Sequence, residues 1–174
     1  MENISIIGHS TQRARLERMW RKDKLPATMM FSGISGIGKL LVARELVRTI
    51  LCQNSAQAED GKRDYGGCGG FALLRLFDCG HRPPLLYTLH LHAFSSKSRV
   101  IIFNDAEYLS LQACNVLLKA LEEPRPGTFF ILVTANPSRL PQTLLSRCQI
   151  WFFDSLNTEQ IRSALERSSR AQQL

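Results

Sequence analysis

Three apolar runs mark the second half of the chain: residues 100–103, 129–133 and 150–153. The first two lack polar alternation, which predicts strands buried on both faces, as in a parallel sheet covered by helices. The last predicts a third strand. Between the first two, Cys114, Leu117, Leu118 and Leu121 recur at i, i+3, i+4 and i+7, one apolar helical face. Pro124 and Pro126 stop that helix. Earlier, Ser10 reads as the N-cap of a helix whose buried face is Leu16, Met19 and Trp20, closed by Lys24-Leu25-Pro26. Residues 29–32 predict a short strand. Ala43, Leu46, Val47, Ile50 and Leu51 predict the next helical face. Asn157 with Gln160 forms a capping-box pattern ahead of Ile161 and Leu165. Strands alternating with amphipathic helices predict an α/β fold, a mostly parallel sheet with helices on both faces. Residues 53–70 are polar and glycine-rich and read as a loop. Residues 85–94 read as one strand, with Leu89, Leu91 and Ala93 facing opposite His90 and His92.

The candidate chemistry lies at strand ends. Residues 29–32 run into Gly33-Ile34-Ser35-Gly36-Ile37-Gly38-Lys39-Leu40. Strand, glycine loop and helix in that order make a phosphate cradle. Glycines let backbone N–H groups converge, the helix offers its positive end, and the lysine reaches the outer phosphates. The final position of such a loop is ordinarily Ser or Thr, whose hydroxyl meets Mg²⁺. Leu40 has no oxygen to give. The strand at 100–103 ends in an acidic turn, Asn104, Asp105 and Glu107. The strand at 129–133 ends in Thr134-Ala135-Asn136, and Ser146-Arg147-Cys148 precedes the last strand.

These motifs, with the phrase over residues 117–133, fall in the order seen in the ATPase core of the bacterial DNA polymerase III clamp loader and resemble its delta-prime and tau/gamma subunits. The resemblance implies an AAA+ P-loop core over residues 1–154. It also implies the first helix of a lid domain over 155–174, with the helical collar absent. It places Ile7, Gly8 and His9 beside an adenine base, although a lone histidine at a helix start reads as surface. Asn104 stands where the family's first Asp helps hold the metal, and Asp105 where the next carboxylate positions the attacking water. Asn136 matches the turn that senses the γ-phosphate. Arg147 matches an arginine offered in trans to ATP on a neighbouring subunit, a device worth ~10³–10⁵ in rate in phosphoryl-transfer systems. Two groups serving one ion are replaced, at positions 40 and 104. The expectation is no independent ATPase and only weak nucleotide binding through Gly33, Gly36, Gly38 and Lys39. That pattern resembles delta-prime. The expected role is to help load the sliding clamp on primed DNA, with the delta and tau/gamma subunits, within a DNA-directed DNA polymerase holoenzyme. Alternatives are an active AAA+ ATPase motor, or a truncated fragment that no longer assembles.

In the family, residues 52–84 would hold a four-cysteine zinc module. Cys52 and Cys68 match two ligand positions, whereas Phe71 and Leu74 fall on the other two. Two thiols do not close a tetrahedral site. An irregular set of Cys52, Cys68, Cys79 and His81 is a weaker alternative. Zinc is therefore not expected, and no cofactor beyond weakly held nucleotide.

Composition narrows the classes. The 174 residues suit one domain with a real core. No apolar run approaches the roughly 20 residues of a membrane span. Five cysteines without paired spacing suit reduced thiols and a cytoplasmic protein. The net charge is +7, and residues 1–50 hold nine basic and four acidic side chains. That bias favours an anionic partner or simply a solvated basic face. No aromatics alternate with the basic residues, so base stacking is not indicated.

Overall fold

A computed structural model describes residues 6–53, 71–75 and 98–171. Among the described residues, five strands form one sheet: β1 (Thr28–Ser32), β2 (Phe71–Arg75), β3 (Arg99–Asn104), β4 (Thr128–Thr134) and β5 (Gln149–Phe152). Their spatial order is β2-β3-β4-β1-β5, and every pairing is parallel. The helices are α1 (Ser10–Arg21), α2 (Lys39–Gln53), α3 (Leu111–Glu122), α4 (Gln142–Leu145) and α5 (Thr158–Ala171). Single 3₁₀ turns lie at Ala106–Tyr108 and Pro137–Arg139.

The apolar runs become the inner strands because each of their residues has a core to enter. Successive side chains point to opposite faces. Met29, Phe31, Val100, Ile102, Ile131 and Val133 pack with Leu16 of α1 and Val42, Leu46 and Ile50 of α2. Met30, Ile101, Phe103, Phe130 and Leu132 pack with Cys114, Leu117 and Leu121 of α3 and Leu144 of α4. Two cores thus share one sheet. Burying a side chain of this size contributes about 1.5–3 kcal/mol. Leu118 lies at the edge of the second core, so the face read from the sequence is the face buried.

Three details differ from the sequence reading. Residues 71–75, taken there as the end of a metal module, form strand β2, with Phe71 opposite Val100 and Leu74 opposite Phe103. A five-residue, mainly apolar stretch gains ladder hydrogen bonds on the open edge of β3, and no periodicity announces so short an element. Next, α1 begins at Ser10, and the residue before it is the cap. His9 adopts a left-handed conformation (φ 55°), and its carbonyl accepts from Arg13 N–H. Finally, β5 is half-covered: Trp151 is buried while Ile150 and Phe152 are exposed, because an edge strand has a helix over one face only. The capping box at α5 forms as read: Asn157 Oδ1 accepts from Gln160 N–H at 2.8 Å, and Gln160 Oε1 accepts from Asn157 N–H at 3.0 Å. Cys52 falls in the last turn of α2. Cys68, Cys79, His81 and the run at 85–94 lie outside the described residues.

Candidate nucleotide cleft and an exposed arginine

The carboxyl ends of β1, β3 and β4 meet at one edge of the sheet, where open α/β folds place ligands. The glycine loop leaves β1 there. Gly33 N–H donates to Thr134 O at 3.3 Å, and Val42 N–H to Gly38 O at 3.1 Å as α2 starts. Gly36 and Gly38 have φ of 82° and 95°, a region that side chains disfavour. A Cβ at Gly33 would lie 2.3 Å from Phe153 O, so the loop needs a bare backbone to pass the end of β5.

Lys39 turns back onto its own loop. Its ammonium donates to Gly33 O and Ile34 O, each at 2.7 Å. The residue is 6% exposed. Burial lowers its pKa, against the opposing pull of Glu107 and Asp105. Leu40 is directed to the apolar core and packs on its margin.

The acidic turn is held by its own contacts. Asn104 is buried and donates its amide to Asp105 Oδ2 at 2.7 Å. Asp105 sits at φ 55°, a strained conformation for a residue with a side chain. Glu107, which the sequence reading left without a role, spans two strand ends: its Oε1 accepts from Ala135 N–H at 3.0 Å. Its Oε2 is buried without a partner among the described residues. In the polar turn, Asn136 N–H donates to Thr134 Oγ1 at 3.1 Å, and Asn136 Oδ1 accepts from Ser138 Oγ at 2.5 Å.

His9 is a further residue the sequence reading undervalued. It is buried, not on the surface. Its Nε2 lies 2.8 Å from Ile37 O in the glycine loop, and its ring meets Phe153 edge-on at 5.0 Å. Gly8 lies so close to α5 that a Cβ would meet Leu156 Cδ2 at 2.4 Å. The segment before α1, the loop and the start of α5 are therefore in contact. The only sequence signal for this was the Gly8-His9 pair itself.

The structure thus gathers Gly33, Gly36, Gly38, Lys39, Leu40, Asn104, Asp105 and Asn136 around one edge. It leaves Arg147 outside the group. Arg147 follows α4 and is exposed. It donates to Thr143 O at 2.9 Å and to Glu122 Oε1 at 2.6 Å. Its neighbour Cys148 is mostly buried, which pushes the thiol up to about 12. Among the described residues no three His, Cys, Asp or Glu side chains cluster as a metal site. No described helix is long and apolar enough to cross a membrane.

A parallel sheet in this order with a glycine loop after β1, an inner strand flanked by β4 and β5, defines a P-loop fold of the AAA+ class. The RuvB Holliday junction branch migration motor of Thermotoga maritima shares it, with a TM-score of 0.65 over 97% of this chain and 52% of that one, at 14% identity. The sequence profile of the family described as "DNA polymerase III, delta subunit" matches residues 84–157. The DNA polymerase III tau subunit of Escherichia coli is 33% identical over 148 residues, 79% of this chain and 23% of that protein. The delta-prime subunit of Haemophilus influenzae is 43% identical over 68 residues, 39% of this chain and 21% of that protein. The chain belongs to the clamp-loader family of DNA polymerase III, close to delta-prime and tau/gamma. It spans less than a third of the length of either relative.

Proposed function

We propose that this chain is a delta-prime-type clamp-loader subunit: it does not hydrolyse ATP itself and offers Arg147 to ATP on a neighbouring subunit. The observation that carries the reading is a contrast in chemistry. Position 40 is apolar and position 104 is a neutral amide, whereas Arg147 stands exposed. In-line phosphoryl transfer relies on Mg²⁺ to neutralise developing charge. Neither Leu40 nor Asn104 supplies an anionic or hydroxyl oxygen to that ion. The residues present therefore do not fit a magnesium–nucleotide, and no hydrolytic step is assigned to this chain. Its partners on this reading are the other clamp-loader subunits, the sliding clamp and, through the complex, primed DNA, in the cytoplasm.

The test is hydrolysis by the chain alone. Purified protein should release no phosphate from Mg-ATP above a protein-free control. Turnover by the unmodified chain, abolished by Lys39→Met, would overturn the reading of its own cleft.

A further inference from the structure

Arg147 is held at both of its terminal nitrogens by groups on two helices. Nη1 donates to Thr143 O of α4 at 2.9 Å, and Nη2 donates to Glu122 Oε1 at 2.6 Å, a carboxylate 25 residues earlier in the chain. Glu122 is the last residue of α3. Leu117 and Leu121 fix α3, and Leu144 fixes α4, in the same core. Both helices are thus set, and the two side chains that meet between them are the movable parts. Glu122 stands where a helix disfavours it. The carboxyl end of α3 carries partial negative charge and attracts cations, such as Lys119 in the same turn. A carboxylate there needs a cation of its own, and Arg147 is the one in contact. The pair is short because both members are charged.

We infer that Glu122 is a positioning residue that draws Arg147 back onto the α3–α4 surface, and that phosphate oxygens must displace it before the guanidinium can serve another subunit. This rests on the role proposed above for Arg147. Carboxylate and phosphate oxygens bind the same planar fork of N–H donors. A phosphate entering while Glu122 stays would put like charges in contact, so the two exchange and do not share. The side chains of Arg147 and Glu122 are 37% and 51% exposed, which leaves the pair weak enough to open. It sets a threshold that a polyanion such as ATP crosses more readily than a monovalent anion. Glu122 therefore governs how easily Arg147 engages. It leaves unchanged what the guanidinium does once engaged, because by then the carboxylate has left it. Glu123, the next residue, is exposed and forms no ion pair with Arg147, so it serves as the matched control.

The test has two arms. In the first, the chain alone is treated with phenylglyoxal, which attacks the neutral guanidine, and modification of Arg147 is followed by peptide mass spectrometry against that of exposed Arg18. A paired carboxylate favours the charged, unreactive form. Glu122→Gln should speed modification of Arg147 about twofold to fivefold, as loss of an exposed pair implies, whereas Glu123→Gln should leave the rate unchanged. In the second, ATP turnover by a clamp-loader motor subunit is measured against rising concentrations of this chain. Glu122→Gln and Glu122→Ala should each reach half-maximal stimulation at about twofold to fivefold lower concentration, with the same plateau. An unchanged Arg147 rate in Glu122→Gln, an equal change in Glu123→Gln, or a plateau lowered by the Glu122 variants would overturn the inference. Failure of the proposed function reads differently: stimulation would then survive Arg147→Ala, whatever stands at position 122.

Discussion

Lys39 and Arg147 are both cations that hydrogen-bond backbone carbonyls, and they differ in what surrounds them. Lys39 is buried against the glycine loop, with two carbonyl partners from that loop. Arg147 is exposed, with one carbonyl and the exposed carboxylate of Glu122. An exposed ion pair is worth about 0–1 kcal/mol, so exchanging Glu122 for another anion costs little. Withdrawing Lys39 strips partners from two carbonyls in a nearly dry setting, where an unmet polar group costs about 1–3 kcal/mol. Side by side they teach that the same charge serves as a structural tie when buried, whereas an exposed one stays open to exchange with another anion, as the proposed function requires of Arg147.

The comparison can be broken most strongly at the loop. Gly33→Ala puts a methyl against Phe153 O, a backbone atom that cannot swing away. Overpacking of this kind costs ~1–3 kcal/mol, and thermal melting should fall by several degrees. Next in size is Lys39→Met, which should lower stability by about 1 kcal/mol without any nucleotide present. If Lys39 served only a ligand, removing its buried charge would raise the melting temperature. Arg147→Ala should change stability by no more than about 0.5 kcal/mol in the same assay.

A smaller effect separates Arg147 from its neighbour. Burial raises the Cys148 pKa from 9.0 to about 12. Between those values the unfolded chain gives up the thiol proton and the folded chain keeps it. Stability is therefore fully present below pH 9 and falls as pH rises towards 12. Cys114 is shifted in the same direction by burial. Melting curves against pH should show the decline, and Cys148→Ser should make it shallower.

How much of this was legible depended on repetition. Residues 100–103 and 129–133 announced buried strands because every position had to be apolar. The glycine loop and the Asn157/Gln160 box were legible because their function fixes spacing as well as residue type. β2 was not legible, since Phe71–Arg75 is one short run whose partner strand lies elsewhere in the chain. His9 was misread because burial of a single polar residue leaves no period; only contact with Ile37 and Phe153 explains it. Glu107 was visible as an acid but not as a bridge, because Ala135 lies 28 residues away. Leu40 and Asn104 were the clearest signal at the site, as departures from a pattern whose chemistry is known in each position.

The central claim is that the working cation is Arg147 and that it works on another subunit's ATP. It is tested most directly by DNA-dependent ATP turnover of a clamp-loader motor subunit, measured with this chain absent, present, or present as Arg147→Ala. The account predicts that the chain raises turnover and that the alanine variant, equally folded, does not. Equal stimulation by both forms would contradict it.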